Sequence, residues 1–165
     1  MRYLPQARTM AAVFGVSLVA GCGGAKPVTV AEVLAHCDAY KGKLVSVAGY
    51  VGECGGLDCE LYPDQSGPAA LSRHLSETMA AVHRERDGLP ANRAAIPPEP
   101  VTIGIAASGA FDRKAAELQN RYVVITGIVD QHSCTGAGGT DRSPGLHPTD
   151  IRAWTPSEGA PAKPQ

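Results

Sequence analysis

Val30, Val33, Leu34 and Cys37 recur at i, i+3, i+4 and i+7, which predicts a helix with one apolar face. Thr29 stands at its N-cap position with Glu32 three residues on, a capping box, and Val28 and Val33 occupy the hydrophobic-staple positions. Cys37 lies on the apolar face and is expected to point inward, and Gly42 ends the segment. The period then changes to two. Val45, Val47, Gly49 and Val51 alternate with Ser46, Ala48 and Tyr50, and Val123, Ile125, Gly127 and Val129 repeat the pattern, so both segments are strands. In each, a glycine takes the place of the third inward side chain, where a small barrel needs its strand to bend. Shorter strands are expected at 59–62, 101–106 and 150–154, and a helix at 111–120 with Phe111, Ala115 and Leu118 on one side.

Residues 64–100 separate the second strand from the third by far more than a hairpin needs. Within them, 68–86 reads as an amphipathic helix with Leu71, Leu75, Met79 and Val82 on one stripe and Arg73, Arg84 and Arg86 elsewhere. Pro90, Pro97, Pro98 and Pro100 make the remainder a loop. Such an insertion either covers the side of the body with its helix or serves as a lid or partner-docking helix.

The resulting order is helix, strand, strand, insertion, strand, helix, strand, strand. It resembles an OB-fold: a mainly β, five-stranded Greek-key barrel with a helix between strands three and four. The stretch Tyr40-Lys41-Gly42-Lys43-Leu44-Val45-Ser46-Val47-Ala48-Gly49 resembles the opening of many small bacterial OB-fold domains of unassigned function. Tyr122-Val123-Val124-Ile125-Thr126-Gly127 resembles their fourth strand. The resemblance covers residues 28–155 and implies ligand binding on the barrel face and its flanking loops, here 64–100 and 132–148.

Ahead of this domain, Arg2 and Arg8 form a basic start with no acid nearby, and 10–20 is an apolar run of signal-peptide length. It abuts Val19-Ala20-Gly21-Cys22, which resembles a bacterial lipoprotein lipobox, cleaved before the cysteine that then carries the lipid. The expected organisation is a signal peptide at 1–21, a tether at 22–27, the domain at 28–155 and a disordered Pro- and Ala-rich tail at 156–165. Lipid on Cys22 makes this a membrane-anchored protein facing the periplasm or the exterior. The family's sorting rule reads Gly23 as permitting an outer-membrane destination where there is one. Loss of the leader shifts the formal charge from −1 to −3 and leaves six aromatics, Tyr40, Tyr50, Tyr62, Phe111, Tyr122 and Trp154. An acidic, aromatic-poor body is a poor nucleic-acid binder, although a single-stranded nucleic-acid ligand is the fold's best-known alternative.

Four cysteines remain, an even number in an exported chain, which favours disulfides. Cys54 ends the first strand and Cys59 opens the second across a tight hairpin. In an OB topology the end of the fourth strand, near Cys134, returns beside the helix bearing Cys37. The expected bridges are Cys54–Cys59 and Cys37–Cys134. The alternative is a zinc set of Cys54, Cys59, His132 and Cys134, three thiolates and an imidazole, in an envelope metal-binding protein.

Catalytic signatures are scarce. His74 and His83 are nine apart, not a metal-ligand spacing, and read as exposed helix histidines. Ser72, Ser108 and Ser133 lack a Gly-x-Ser-x-Gly context, and Asp112 with Glu117 lies on a helix surface. Gly136, Gly138 and Gly139 precede no helix, as a phosphate cradle would require. The expectation is a non-catalytic binding or interaction module without a cofactor, anchored to the membrane and binding an envelope protein or small ligand. Cys22→Ala should abolish lipid attachment. Intact mass and detergent partitioning check this, and a wild-type protein with no acyl mass at Cys22 contradicts it.

Overall fold

The structure, a computed structural model, describes residues 26–55, 58–91, 93–106, 109–130 and 145–155. The leader, the lipobox with Cys22, most of the tether, His132, Cys134 and the tail lie outside the described residues. Within them the chain forms six strands and four α-helices, and the sheet is mainly antiparallel.

A two-residue strand β1 (Val28–Thr29) leads into α1 (Val30–Ala35), capped as the sequence suggests, with the Glu32 N–H donating to Thr29 Oγ1 at 3.1 Å. The single helix expected to run to Gly42 breaks at His36, whose backbone (φ −127°, ψ 36°) is not helical, and α2 (Cys37–Tyr40) follows. Tyr40 ties the two pieces together by donating its hydroxyl to Glu32 Oε1 at 3.1 Å. Partial burial, then that bond and the Glu32 charge, hold the Tyr40 phenol above its ordinary pKa. Gly42 takes φ +68°, a left-handed conformation cheap only for glycine, and turns the chain into the sheet.

Strand β2 (Leu44–Gly55) pairs along most of its length with β5 (Arg121–Val129), Leu44 opposite Ile128 through Val51 opposite Arg121. On its other side it pairs with β3 (Asp58–Tyr62) and, in parallel, with β1. Strand β4 (Ile103–Gly104) joins β3, and β6 (Leu146–Ala153) joins β5. The ladder order is therefore β4–β3–β2–β5–β6. Helix α4 (Ala110–Ala116) sits between β4 and β5 in sequence and packs on β2 and β6. Its Lys114 pairs with Asp150 on β6, and that hydrogen bond, more than the accompanying charges, lowers the Asp150 pKa.

The closed barrel expected from the sequence is not what forms. The sheet is open, and among the described residues its outer strands are linked by an isolated parallel bridge between Ile105 and Leu146, where the Ala106 N–H donates to Leu146 O at 3.0 Å. The cause is the shortness of β4. Pro97, Pro98 and Pro100 run up to it, and a proline has no N–H to give a ladder. At the other end, β6 starts at Leu146, four residues earlier than the alternation at 150–154 suggests.

Gly127 shows why glycine recurs in the long strands: a Cβ there would lie 2.5 Å from His147 O, where the β5–β6 register shifts. The core lies on one sheet face, built from Val47, Val51, Leu61, Ile103, Val123, Ile125 and Ile151, and is closed by Val30 and Val33 of α1 and Ala115 of α4.

Helix α3 (Gly67–Arg86) matches the expected inserted helix in extent but not in orientation. Leu75, Met79 and Val82, expected to form its packing stripe, are exposed, and only Leu71 of that stripe is half-buried. The less exposed face carries His74, Thr78 and Ala81 and lies against the segment that follows the helix. The following segment holds it that way: His74 Nδ1 lies 2.8 Å from Pro97 O, and Arg93 donates twice to Glu85, each bond 2.8 Å. His74 is therefore a half-buried donor to a carbonyl, not the exposed histidine the sequence suggests. No described residue of 63–100 belongs to the core cluster. Replacing 66–99 with a short turn should thus leave a cooperatively folded domain, since loop closure costs only ~0.6 kcal/mol per doubling of length. Loss of a sharp urea transition in that variant would put α3 inside the core.

Candidate ligand groove beside the inserted helix

Alternation along β3 sends Cys59 and Leu61 into the core and Glu60 and Tyr62 to the opposite face. Helix α3 starts over that outer face. A Cβ on Gly67 would fall 2.3 Å from the Tyr62 ring, so the helix N-terminus can seat on the ring only because residue 67 is glycine. The next residue, Pro68, reaches over Gly52 of β2, where a Cβ would lie 3.5 Å from its ring. The first turns of α3 are thereby held above the sheet without filling the space below them.

That space is a groove of about 530 Å³, within the range of small-molecule sites. Its sheet side presents Glu53, Glu60, Tyr62 and Asn120. Its helix side presents Pro68, Leu71 and Leu75 as an apolar wall, with Ser72 and Ser76 between them. Glu60 is only 5% exposed, so its carboxylate sits at the floor, whereas Glu53 is exposed at the rim. Asn120 holds its corner at φ 59°, tolerated by asparagine better than by most side chains, and its N–H donates to Val51 O at 2.9 Å. The Ser76 hydroxyl is committed to Ser72 O at 2.8 Å.

An aromatic row runs from the groove across the sheet. Tyr62, Tyr50 and Tyr122 are register partners on β3, β2 and β5. Tyr50 meets Tyr122 edge to face, with centroids 5.4 Å apart, and Tyr122 meets Trp154 at 6.4 Å. Six aromatics looked thin in the sequence; four of them share one surface. Their matching position in each strand's alternation was the available signal, but it has meaning only once the register is known.

Cys54 and Cys59 are directly opposed across β2 and β3 and form a disulfide, Cα to Cα 4.2 Å. Two of the four sulfur and nitrogen ligands proposed for zinc are therefore joined to each other, and the other two, His132 and Cys134, lie outside the described residues. Among the described residues no group of three or more His, Cys, Asp or Glu could hold a metal ion. Cys37 is buried, as expected, and is itself disulfide-bonded; Cys134, its expected partner, lies outside the described residues. The end of β5 lies beside α2, where the Gly42 N–H donates to Val129 O at 2.8 Å. His147 pairs with Asp130 at 2.9 Å at that same end of the sheet.

No family model matches the chain, and comparison with curated proteins and with solved structures finds no significant match.

Non-reducing peptide mapping of the mature protein should join Cys54 to Cys59, and Cys37 to Cys134 rather than to Cys22, which the lipobox reading reserves for lipid. Replacing the Cys54–Cys59 pair with serines should cost about 2 kcal/mol in the chain-entropy model. A Cys37–Cys22 peptide would contradict the lipid assignment.

Proposed function

We propose that this chain is a lipid-anchored binding module of the bacterial cell envelope that takes its ligand in the groove between α3 and the outer face of β2 and β3. The groove carries the reading. It has an apolar wall, a few converging polar groups and a helix over it that the core does not use, the usual composition of a ligand site.

The body is proposed to be an OB-type core whose barrel stays open. Support comes from the five-strand order, the helix between β4 and β5, and the parallel Ile105–Leu146 bridge between the outer strands. The anchor rests on the lipobox at Val19-Ala20-Gly21-Cys22. Binding is favoured over catalysis because the groove's serines face no histidine among its lining residues and Ser76 spends its hydroxyl on the helix backbone.

A fragment screen by protein-observed NMR on the oxidised mature domain tests this. Hits should shift the amides of Glu53, Glu60, Leu71 and Leu75, and Ser72→Trp, an exposed position that fills the groove, should abolish them without changing the urea midpoint by more than about 0.5 kcal/mol. Hits confined to the Tyr50–Tyr122–Trp154 row, or none at all, would contradict the assignment.

A further inference from the structure

Strand β1 runs parallel to β2, with Val28 beside Val47 and Thr29 beside Ala48. The chain therefore enters the domain from the end of β2 that begins with Leu44. Cys22 stands six residues before Val28, and six residues reach at most about 20 Å. Leu44 is three strand residues from Val47, about 10 Å, so it lies within that reach. Glu53, at the groove rim, is nine residues from Leu44, about 30 Å along the strand. A lipid on Cys22 thus tethers the domain from its Leu44 end.

That end carries an exposed apolar pair. Leu44 of β2 and Ile128 of β5 are register partners, 63% and 42% exposed. Single exposed apolar side chains are ordinary on protein surfaces. This pair is set apart by its place, side by side on the end from which the tether comes, and by its neighbours. Lys43 precedes Leu44 and Lys26 lies just ahead of β1, both exposed, while Lys41 at the same turn is paired with Asp38. His147, the partner of Ile128 on β6, pairs with Asp130. Lysine stems cover apolar surface while their ammonium groups reach outward, which suits the boundary between acyl chains and anionic headgroups. Helix α3 also exposes Met79 and Val82, but it starts over Tyr62, opposite Tyr50, farther along β2 than the point where the tether enters.

We propose that the Leu44–Ile128 end of the sheet docks on an anionic bilayer surface, the two apolar side chains entering the headgroup boundary and Lys43 and Lys26 meeting lipid phosphates. This rests on the lipidation of Cys22 proposed above. It gives the anchored domain an orientation, with the groove held away from the bilayer.

The test places the mature, oxidised, lipidated chain in nanodiscs of phosphatidylethanolamine and phosphatidylglycerol, doped with a lipid that carries a nitroxide near its headgroup. Paramagnetic relaxation of labelled methyl groups is the readout. The methyls of Leu44 and Ile128 should relax at least tenfold faster than those of Leu75, Met79 and Val82. Lys43→Gln with Leu44→Gln, both at exposed positions, should lower the effect at Ile128 at least threefold. Replacing phosphatidylglycerol with phosphatidylcholine should lower it as well. Relaxation strongest at Met79 and Val82, or equal over the whole surface, would overturn the inference. So would an effect at Ile128 that neither the double variant nor the loss of anionic lipid changes. Signals of Leu44 and Ile128 that respond to the number of protein copies per disc, and not to the nitroxide, would overturn it in favour of a second copy of the chain. A mature protein without acyl mass at Cys22 would remove the anchor and the inference together, whereas acyl mass with the wrong relaxation pattern would overturn the inference alone.

Discussion

The structure depends on one central strand, β2, which takes partners on both of its edges. Strand β2 pairs with β5 over 44–51 on one side and with β1 at 47–48 and then β3 at 50–55 on the other, so its middle has a neighbour on each edge. Over that middle stretch the strand is shielded on both edges, and its neighbours must approach closely. That constraint explains Gly49, where a Cβ would lie 2.7 Å from both Leu61 Cγ and Tyr62 O. It also accounts for the fully buried Val47 and Val51. The Cys54–Cys59 bridge then fixes the far end of the β2–β3 hairpin, beyond the register shift that follows Val51.

With the core satisfied by β2 and its neighbours, the inserted helix is left to a different task. It touches the outer face through Gly67 and Pro68 over Tyr62 and is braced by its own following loop through His74 and Arg93. Holding a helix above a sheet by a small N-terminal contact leaves space under its next turns, and the groove is that space. The arrangement keeps the site's polar groups on the face opposite the core, so a buried carboxylate such as Glu60 faces the groove instead of the aliphatic interior.

Much of the body was legible in the sequence because its signals are local. Period-two alternation marked 45–51 and 123–129, Thr29 marked the cap, and the Cys54–Cys59 hairpin spacing marked a bridge that the structure contains. Closure of the barrel was not legible, because it depends on how many ladder bonds the residues after Pro100 can make. The orientation of α3 was missed for a similar reason. Hydropathy places Leu71, Leu75, Met79 and Val82 in a packed stripe, but a hydrogen bond from His74 to a loop carbonyl more than twenty residues later packs the neighbouring face on that loop and leaves Leu75, Met79 and Val82 exposed. Glu60 showed in the sequence only as a polar residue between Cys59 and Leu61. Its place on the groove floor follows from a helix that begins seven residues downstream.

The central claim is that a core built around β2 folds without help from a helix whose role is to form the site. Native-state hydrogen exchange measures this residue by residue, because each amide reports the free energy of the opening that exposes it. Amides of Val47, Val123 and Ile125 should exchange only through global unfolding, while amides in the middle of α3, such as Leu75 and Met79, should exchange through a local opening several kcal/mol cheaper and insensitive to low denaturant. Exchange of α3 and β2 amides with one common free energy and one common denaturant slope would contradict the account, because the helix would then belong to the same cooperative unit as the core.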